Sequence, residues 1–137
     1  MEAVRELAHT ADVGFEIEAS SADRLFELAA RGLFDALGAS PSDRSSWSET
    51  IALGRPDPER LLVAWLRELL DIALTREAVA VASSVSLVTG TDLRAIVEWQ
   101  PWTSDGPKRE IKGVTYHGLK VAADADGRWH GRVVLDV

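Results

Sequence analysis

The sequence predicts an α+β fold in which two amphipathic helices pack on one face of a largely antiparallel sheet. Three observations support this class. A period-two strand pattern lies near the start, two segments carry apolar residues at helical spacing, and several strand patterns follow in the second half. A chain of 137 residues fits one domain and can bury about two-thirds of its unfolded surface. We therefore expect a single domain over residues 1–137.

Composition narrows the functional classes. The chain has no cysteine, which excludes disulfides, thiolate nucleophiles and zinc-finger spacing. Its net charge of −7 disfavours autonomous binding of nucleic acid and suits cations or a basic protein surface, although solvation alone would also explain it. Apolar runs are too short for a signal peptide or a membrane span. We expect a cytoplasmic protein without a membrane partner.

The first predicted strand alternates in character. Val13, Phe15 and Ile17 point to one side, while Glu16 and Glu18 point to the other.

The last five residues, 133–137, form a second strand pattern that presents Asp136 just before Val137. If the two strands end side by side, Asp12, Asp136 and the terminal carboxylate of Val137 would supply several hard oxygen ligands. That set suits Ca²⁺ or Mg²⁺. Spacing alone does not establish that Asp12 and Asp136 meet.

Two helices are predicted from their start signals and periodicity. The first follows a capping box at 20–23, with Ser20 as the cap and Asp23 reaching back to it, and stops at Gly38. The second starts at Asp57-Pro58-Glu59. It is the most apolar segment, and we expect Trp65 in the core.

A polar loop at 39–48 and a short strand at 49–53 separate the two helices. Trp47 within this loop either covers the core or anchors a partner.

The second half of the chain reads as strands joined by turns. Strand patterns occur at 78–87, bent near Ser83-Ser84, and at 93–99, after a turn at 89–92. A loop near Pro101 precedes residues 110–122, which we expect to form two strands or one kinked strand. The segment 124–127 resembles a calcium loop but lacks its remaining acidic ligands, so we predict a hairpin turn before the final strand at 128–137.

The three histidines have different expected roles. His130 alternates on the terminal strand and is expected to be exposed. His117 precedes Gly118, where a hydrogen bond at the turn is the default. His9 lies three residues before Asp12, where it would orient that residue, hydrogen-bond to a metal ligand without binding the metal, or hydrogen-bond to the backbone. No phosphate loop or nucleophile motif is present.

Four motifs in the same order resemble the archease family. They are His9-Thr10-Ala11-Asp12-Val13-Gly14, then 57–62 leading to 65–70, then Glu110-Ile111-Lys112-Gly113-Val114-Thr115-Tyr116-His117, and finally Val134-Leu135-Asp136-Val137. The motifs span nearly the whole chain. The sequence is identified on these motifs as a member of that family.

The resemblance implies a small α+β fold, similar to the strand-helix-strand-strand module, with a helical insertion at roughly 39–76. It implies a non-enzymatic accessory factor of an RtcB-type RNA ligase, which acts in tRNA splicing and RNA repair. Such a factor promotes guanylylation of the ligase and multiple turnover. The resemblance assigns a divalent metal to Asp12, Asp136 and Val137, and a functional role to Lys112.

The sequence departs from the family pattern at Trp99-Gln100-Pro101-Trp102, where a glycine-glutamate pair is common, and at Gly113, where alanine is usual. Two rival functions remain open. One is a chaperone-like modulator of RNA-modifying enzymes such as a tRNA methyltransferase. The other is a metal-dependent enzyme, which turnover by the isolated protein would reveal.

Overall fold

The computed structural model describes residues 2–8, 12–87 and 89–137, and of residues 7 and 8 only the backbone. Nine elements follow one another along the described chain. In order they are β1 (Ala3–Ala8), β2 (Asp12–Ala19), α1 (Ala22–Leu37), β3 (Trp47–Gly54), α2 (Pro58–Arg76), β4 (Ala78–Leu87), β5 (Asp92–Pro101), β6 (Gly113–Ala123) and β7 (Trp129–Asp136).

The strands form two antiparallel sheets. The four-stranded sheet has the order β1-β2-β7-β6, and the three-stranded sheet has the order β3-β5-β4. Both helices pack against strands of both sheets, so the helices lie between them and each sheet keeps an outer face. The predicted α+β class is confirmed, and the sequence did not indicate the division into two sheets.

The cap of α1 differs from the prediction. Ser21, not Ser20, is the N-cap, and its hydroxyl accepts a hydrogen bond from the amide of Arg24 at 3.1 Å. Asp23 does not reach back to the cap, because its Oδ1 accepts from the amide of Leu87 at 2.8 Å. The carboxylate therefore ties α1 to β4. The predicted stop is confirmed at Gly38, which has φ of 73°.

The predicted start of α2 is confirmed. Asp57 is the N-cap, with Pro58 in the first turn. Trp65 is fully buried, and its indole nitrogen donates to the carbonyl of Phe26 on α1 at 2.9 Å. The helix ends at Glu77, which adopts a left-handed conformation with φ of 54°. That conformation is costly for a residue with a Cβ, and the sequence did not suggest it.

One continuous core fills the space between the sheets and helices. Val13, Phe15 and Ile17 are buried as predicted, and Phe34 meets Trp99 edge-on with ring centroids 5.7 Å apart. The largest fully buried side chains are Trp65, Trp99, Phe26, Leu25, Leu33, Leu37, Leu61, Leu62, Leu66, Leu69, Leu93 and Leu135.

Three strand predictions need correction. The sequence did not predict β1, which pairs with β2 along its whole length. The irregularity in β4 lies between Ala80 and Ala82 rather than at the two serines. Residues 110–112 precede β6 instead of starting it.

β6 is a single strand, and its register against β7 shifts between Thr115 and Lys120. The intervening bulge contains Tyr116, His117 and Gly118, and the amide of His117 donates to the hydroxyl of Thr115 at 3.2 Å. The predicted hairpin turn before β7 is confirmed by the bond from the Gly127 amide to the Asp124 carbonyl at 3.1 Å.

The segment 39–76 contains β3 and α2, and its status as an insertion stays a prediction. Trp47 is half-buried on β3, where the guanidinium of Arg76 lies 4.8 Å from its ring centroid. Within the described ranges, no helix is both long enough and apolar enough to cross a bilayer.

Candidate functional site

The ladder between β2 and β7 brings two carboxylates together at one end of the four-stranded sheet. Asp12 and Asp136 are direct cross-strand partners. Their neighbours Val13 and Leu135 are buried toward the helices, so both aspartates belong to the outer face. Directly opposed residues of antiparallel strands have Cβ atoms about 4.5–5.5 Å apart. The two strands therefore end side by side, which the sequence alone did not establish.

The charge of this pair is not neutralised within the part of the chain that the structure describes. Asp136 is exposed and Asp12 half-buried, and neither makes an ion pair with another described residue. Two opposed carboxylates repel each other. A hard divalent cation between them would remove that repulsion, and the pair supplies two of the oxygen-bearing side chains that such an ion needs.

β6 joins the same end of the sheet. Gly113 is the cross-strand partner of Asp136, and the amide of Lys112 donates to the carbonyl of Asp136 at 2.7 Å. Lys112 is exposed, whereas the adjacent Ile111 is 2% exposed and anchors the segment in the core. The backbone of Lys112 is therefore fixed beside the aspartate pair, while its exposed ammonium forms no ion pair with another described residue.

The two other residues predicted for the metal site and its surroundings are Val137 and His9. Val137 follows Asp136 and its side chain packs against the core, which holds its backbone beside the aspartate pair. His9 lies outside the described residues, so its predicted role stays a prediction. Among the described residues, no group of three or more His, Asp or Glu side chains could hold a metal ion. A site here would thus need donors beyond the two aspartate side chains.

A close approach of α1 to β2 supports the strand that carries Asp12. At Gly32 an added Cβ would lie 2.7 Å from Cε2 of Phe15, a distance that real Cβ contacts do not reach. Glycine at this helix position lets the Phe15 ring lie directly on the helix backbone. This contact sets the distance between β2 and α1.

Sequence reasoning missed the positioning residue Arg67. From α2 it donates through Nε and Nη2 to the carbonyl of Val114 on β6, at 3.2 and 2.9 Å. Its guanidinium carbon also lies 5.1 Å from the ring centroid of Tyr116. Arg67 therefore ties the helix layer to the strand that begins beside Lys112. The only signal in the sequence is that both partners lie in recognisable motifs.

The outer face also carries a row of charges that the sequence did not reveal. Arg5, Glu16, Arg132 and Lys120 are successive cross-strand neighbours across the four strands. Nη2 of Arg5 donates to Oε2 of Glu16 at 2.6 Å, and this bond lowers the pKa of Glu16 below its usual value. The alternation of polar and apolar residues in a strand predicts that these charged residues are exposed. Only the register of the paired strands shows that they lie in one row.

The hairpin at the opposite end of β7 gives His130 a partner. Its Nε2 lies 2.8 Å from Oδ2 of Asp124, and the hydrogen bond from His130 lowers the pKa of that carboxyl group. The prediction of a simply exposed histidine was incomplete, because the ring is half-buried in this pair. Neither residue belongs to the aspartate site.

The fold and the site together define a class of small α+β proteins with two helices between antiparallel sheets and a carboxylate pair at one sheet end. The model of the archease protein family (MTH1598/TM1083) matches residues 5–137. The chain belongs to the archease family. The resemblance inferred from the sequence motifs is thereby confirmed.

Relatives and solved structures agree with this assignment. Protein archease of Methanosarcina barkeri is 32% identical over 137 residues, covering 96% of this chain and 93% of that protein. Protein archease of Thermococcus gammatolerans is 28% identical, covering 94% of each.

Two solved structures share the fold. The solution structure of Methanobacterium thermoautotrophicum protein 1598 has a TM-score of 0.71 at 24% identity and covers 98% of both chains. The crystal structure of an archease, possible chaperone, from Thermotoga maritima has a TM-score of 0.69 at 22% identity, covering 96% of this chain and 94% of that one.

Proposed function

We propose that this protein is a non-enzymatic activator of an RtcB-type RNA ligase in tRNA splicing or RNA repair. It binds a divalent metal ion, promotes guanylylation of the ligase and supports multiple turnover. The observation that carries the proposal is the direct pairing of Asp12 with Asp136 at an exposed sheet end. The assignment of the ligase as partner rests on family membership.

The donor set favours Ca²⁺ or Mg²⁺. Asp12 and Asp136 supply carboxylate oxygens and, where the chain ends at Val137, the terminal carboxylate adds more. All are hard ligands that suit these ions. Held by these oxygens, such an ion would lower the electrostatic repulsion between the carboxylates and supply positive charge that could meet a nucleotide phosphate.

Lys112 supplies a second positive charge at the tip. Its backbone is held by the carbonyl of Asp136 at 2.7 Å, while its side chain is exposed. An exposed ammonium on a fixed backbone is suited to contact a phosphate of GTP in the partner's pocket. The chain's own residues thereby arrange metal and phosphate, and the ligase performs the covalent step.

The net charge of −7 agrees with recognition of a protein surface rather than RNA, because an acidic surface repels the phosphate backbone. Electrostatic complementarity between this acidic domain and a basic surface of the ligase would steer the two proteins together. The proposal places the protein in the cytoplasm with the ligase.

The experiment that tests this function measures guanylylation of the cognate ligase by GTP, with Mg²⁺ or Mn²⁺ supplied. The protein is added at about one-twentieth of the ligase concentration. If each added molecule of this protein leads to guanylylation of more than one ligase molecule, the result supports an activator that is released and used again. No stimulation, with both proteins folded, would contradict it.

A second candidate is a chaperone-like modulator of an RNA-modifying enzyme such as a tRNA methyltransferase. Its support is the description of the Thermotoga maritima relative as a possible chaperone. Affinity capture from cells distinguishes the two, since recovery of a methyltransferase without a ligase favours this candidate. Catalytic turnover by the isolated protein would contradict both.

A further inference from the structure

The outer face of the four-stranded sheet holds a second charged site, away from the aspartate pair. It centres on Arg132, which lies on β7 four residues before Asp136 and on the same face. Four residues of a strand span about 13 Å. The two positions are therefore separate.

Each carboxylate near this position is already engaged. Glu16 accepts from Arg5 at 2.6 Å, and Glu18 accepts from Nε of Arg128 at 3.0 Å. Asp124 is bonded to His130. No described carboxylate forms an ion pair with the cations in the middle of the face.

Two cations in the middle of the face oppose each other directly. Arg132 and Lys120 are cross-strand partners, and like charges in this position destabilise a sheet. Among the residues that the structure describes, neither side chain has a hydrogen-bond or ion-pair partner. Glu16, the cross-strand neighbour of Arg132 on its other side, directs its carboxylate to Arg5 instead. Glu16 still attracts both cations at longer range, and this attraction adds to the lowering of its pKa by Arg5. The Arg132–Lys120 pair thus carries two positive charges that share one carboxylate already bonded to Arg5.

The β6 bulge covers the Nε end of the Arg132 guanidinium. Nε of Arg132 is buried without a hydrogen-bond partner among the described residues, and a Cβ at Gly118 would lie 3.4 Å from it. Gly118 belongs to the β6 bulge and has φ of 66°, a conformation that favours glycine. The bulge covers the base of Arg132, and bulges often re-aim side chains next to functional sites.

A groove of about 390 Å³ runs over these residues, lined among others by Arg5, Glu16, Glu18, Lys120, His130 and Arg132. We propose that the groove is an anion site in which Arg132 and Lys120 bind a phosphate group, supplied by inorganic phosphate species or by a free nucleotide. A guanidinium fork and a lysine ammonium match phosphate oxygens in geometry and charge. This site does not depend on the ligase.

The test is a titration of the ¹⁵N-labelled protein with inorganic pyrophosphate at constant ionic strength. EDTA is present so that no metal at Asp12 and Asp136 can recruit the anion. We expect saturable shifts centred on the amides of Lys120, Gly131 and Arg132. Lys120→Gln should weaken binding about tenfold, the loss of one charge-assisted contact.

The matched control is Arg94→Gln. Arg94 is an exposed strand cation of the three-stranded sheet, and its removal alters net charge equally without touching the groove. Glu16→Gln should bind pyrophosphate more tightly than the wild type, because it removes a negative charge beside Arg132. Pyrophosphate should also raise the melting temperature of the wild type more than that of Lys120→Gln.

Equal affinity for pyrophosphate and a nucleoside triphosphate would identify phosphate as the whole ligand, whereas tighter nucleotide binding would identify a nucleotide. Both results support the site. Absence of saturable shifts at 10 mM pyrophosphate (about the weakest affinity that a two-cation site should give) would overturn it. Equal weakening by Lys120→Gln and Arg94→Gln would overturn it as well, because binding would then follow net charge alone.

Discussion

Asp12 and Asp136 face each other as direct cross-strand partners where β2 ends its pairing with β7. They are far apart in sequence, and the antiparallel register alone brings them together. Directly opposed like charges cost a sheet stability, and neither aspartate forms an ion pair with another described residue. This cost connects the stability of the fold to occupancy of the proposed metal site.

The first prediction concerns metal-linked stability. Asp136→Asn should raise the melting temperature in EDTA, since it removes the repulsion with Asp12. It should also abolish the stabilisation by Ca²⁺ or Mg²⁺, which for the wild type is about 2.7 kcal/mol at a hundred times the dissociation constant. Thermal unfolding with and without each metal measures both effects. The control is Asp126→Asn in the distant hairpin turn, and an identical response of the two variants would contradict the site.

The second prediction concerns the contact between α1 and β2. Gly32→Ala should lower the free energy of unfolding by about 1–3 kcal/mol, because the methyl group would overlap the ring of Phe15. Gly113→Ala is the matched control, since a Cβ there meets nothing within 4 Å. Chemical denaturation measures both variants. If Phe15→Leu does not relieve the defect of Gly32→Ala, the overlap is not its cause.

The third prediction concerns Arg67 as the tie between α2 and β6. Arg67→Met should destabilise the protein by about 1–3 kcal/mol, because it leaves the carbonyl of Val114 without its two donors. Hydrogen exchange of amides near the start of β6 should accelerate. Arg31→Met, an exposed change on α1, controls for the loss of a charge. Equal stability of the two variants would show that the hydrogen bonds contribute little.

The fourth prediction concerns pH. Hydrogen bonds from Arg24 and Ser20 lower the pKa of Glu2 below its usual 4.5. A carboxyl group with a lowered folded-state pKa contributes stability that is complete above its unfolded pKa and is lost as pH falls through the folded value. Stability should therefore decline below about pH 4.5. Glu2→Gln should make that decline shallower, and unchanged pH profiles would contradict the assignment.

Much of the fold could be predicted because its signals are local. The periodicity of both helices, the cap at Asp57, the stop at Gly38 and the hairpin turn before β7 each depend on a few neighbouring residues. The pattern of Val13, Phe15 and Ile17 likewise gave the correct buried face of β2. These predictions required no knowledge of which strands pair.

The remaining features depend on pairing between distant segments. β1 carries Arg5 and Glu6 and lacks a clear alternation, so only its ladder with β2 makes it a strand. The division into two sheets and the β6 bulge are set by packing around the helices. The row from Arg5 to Lys120 exists only in the final register, and sequence spacing contains no trace of it.

The most direct measurement of the central claim is guanylylation of the cognate ligase with three proteins, wild type, Asp136→Asn and Asp126→Asn. Each is verified as folded and used at the same low ratio to ligase. Asp136 carries the proposed metal site, whereas Asp126 lies in the hairpin turn at the other end of β7. We expect Asp126→Asn to stimulate guanylylation as much as the wild type does. Asp136→Asn should stimulate it at least about tenfold less, which is equivalent to about 1.4 kcal/mol. Full stimulation by Asp136→Asn would contradict the claim that this carboxylate pair acts in ligase activation.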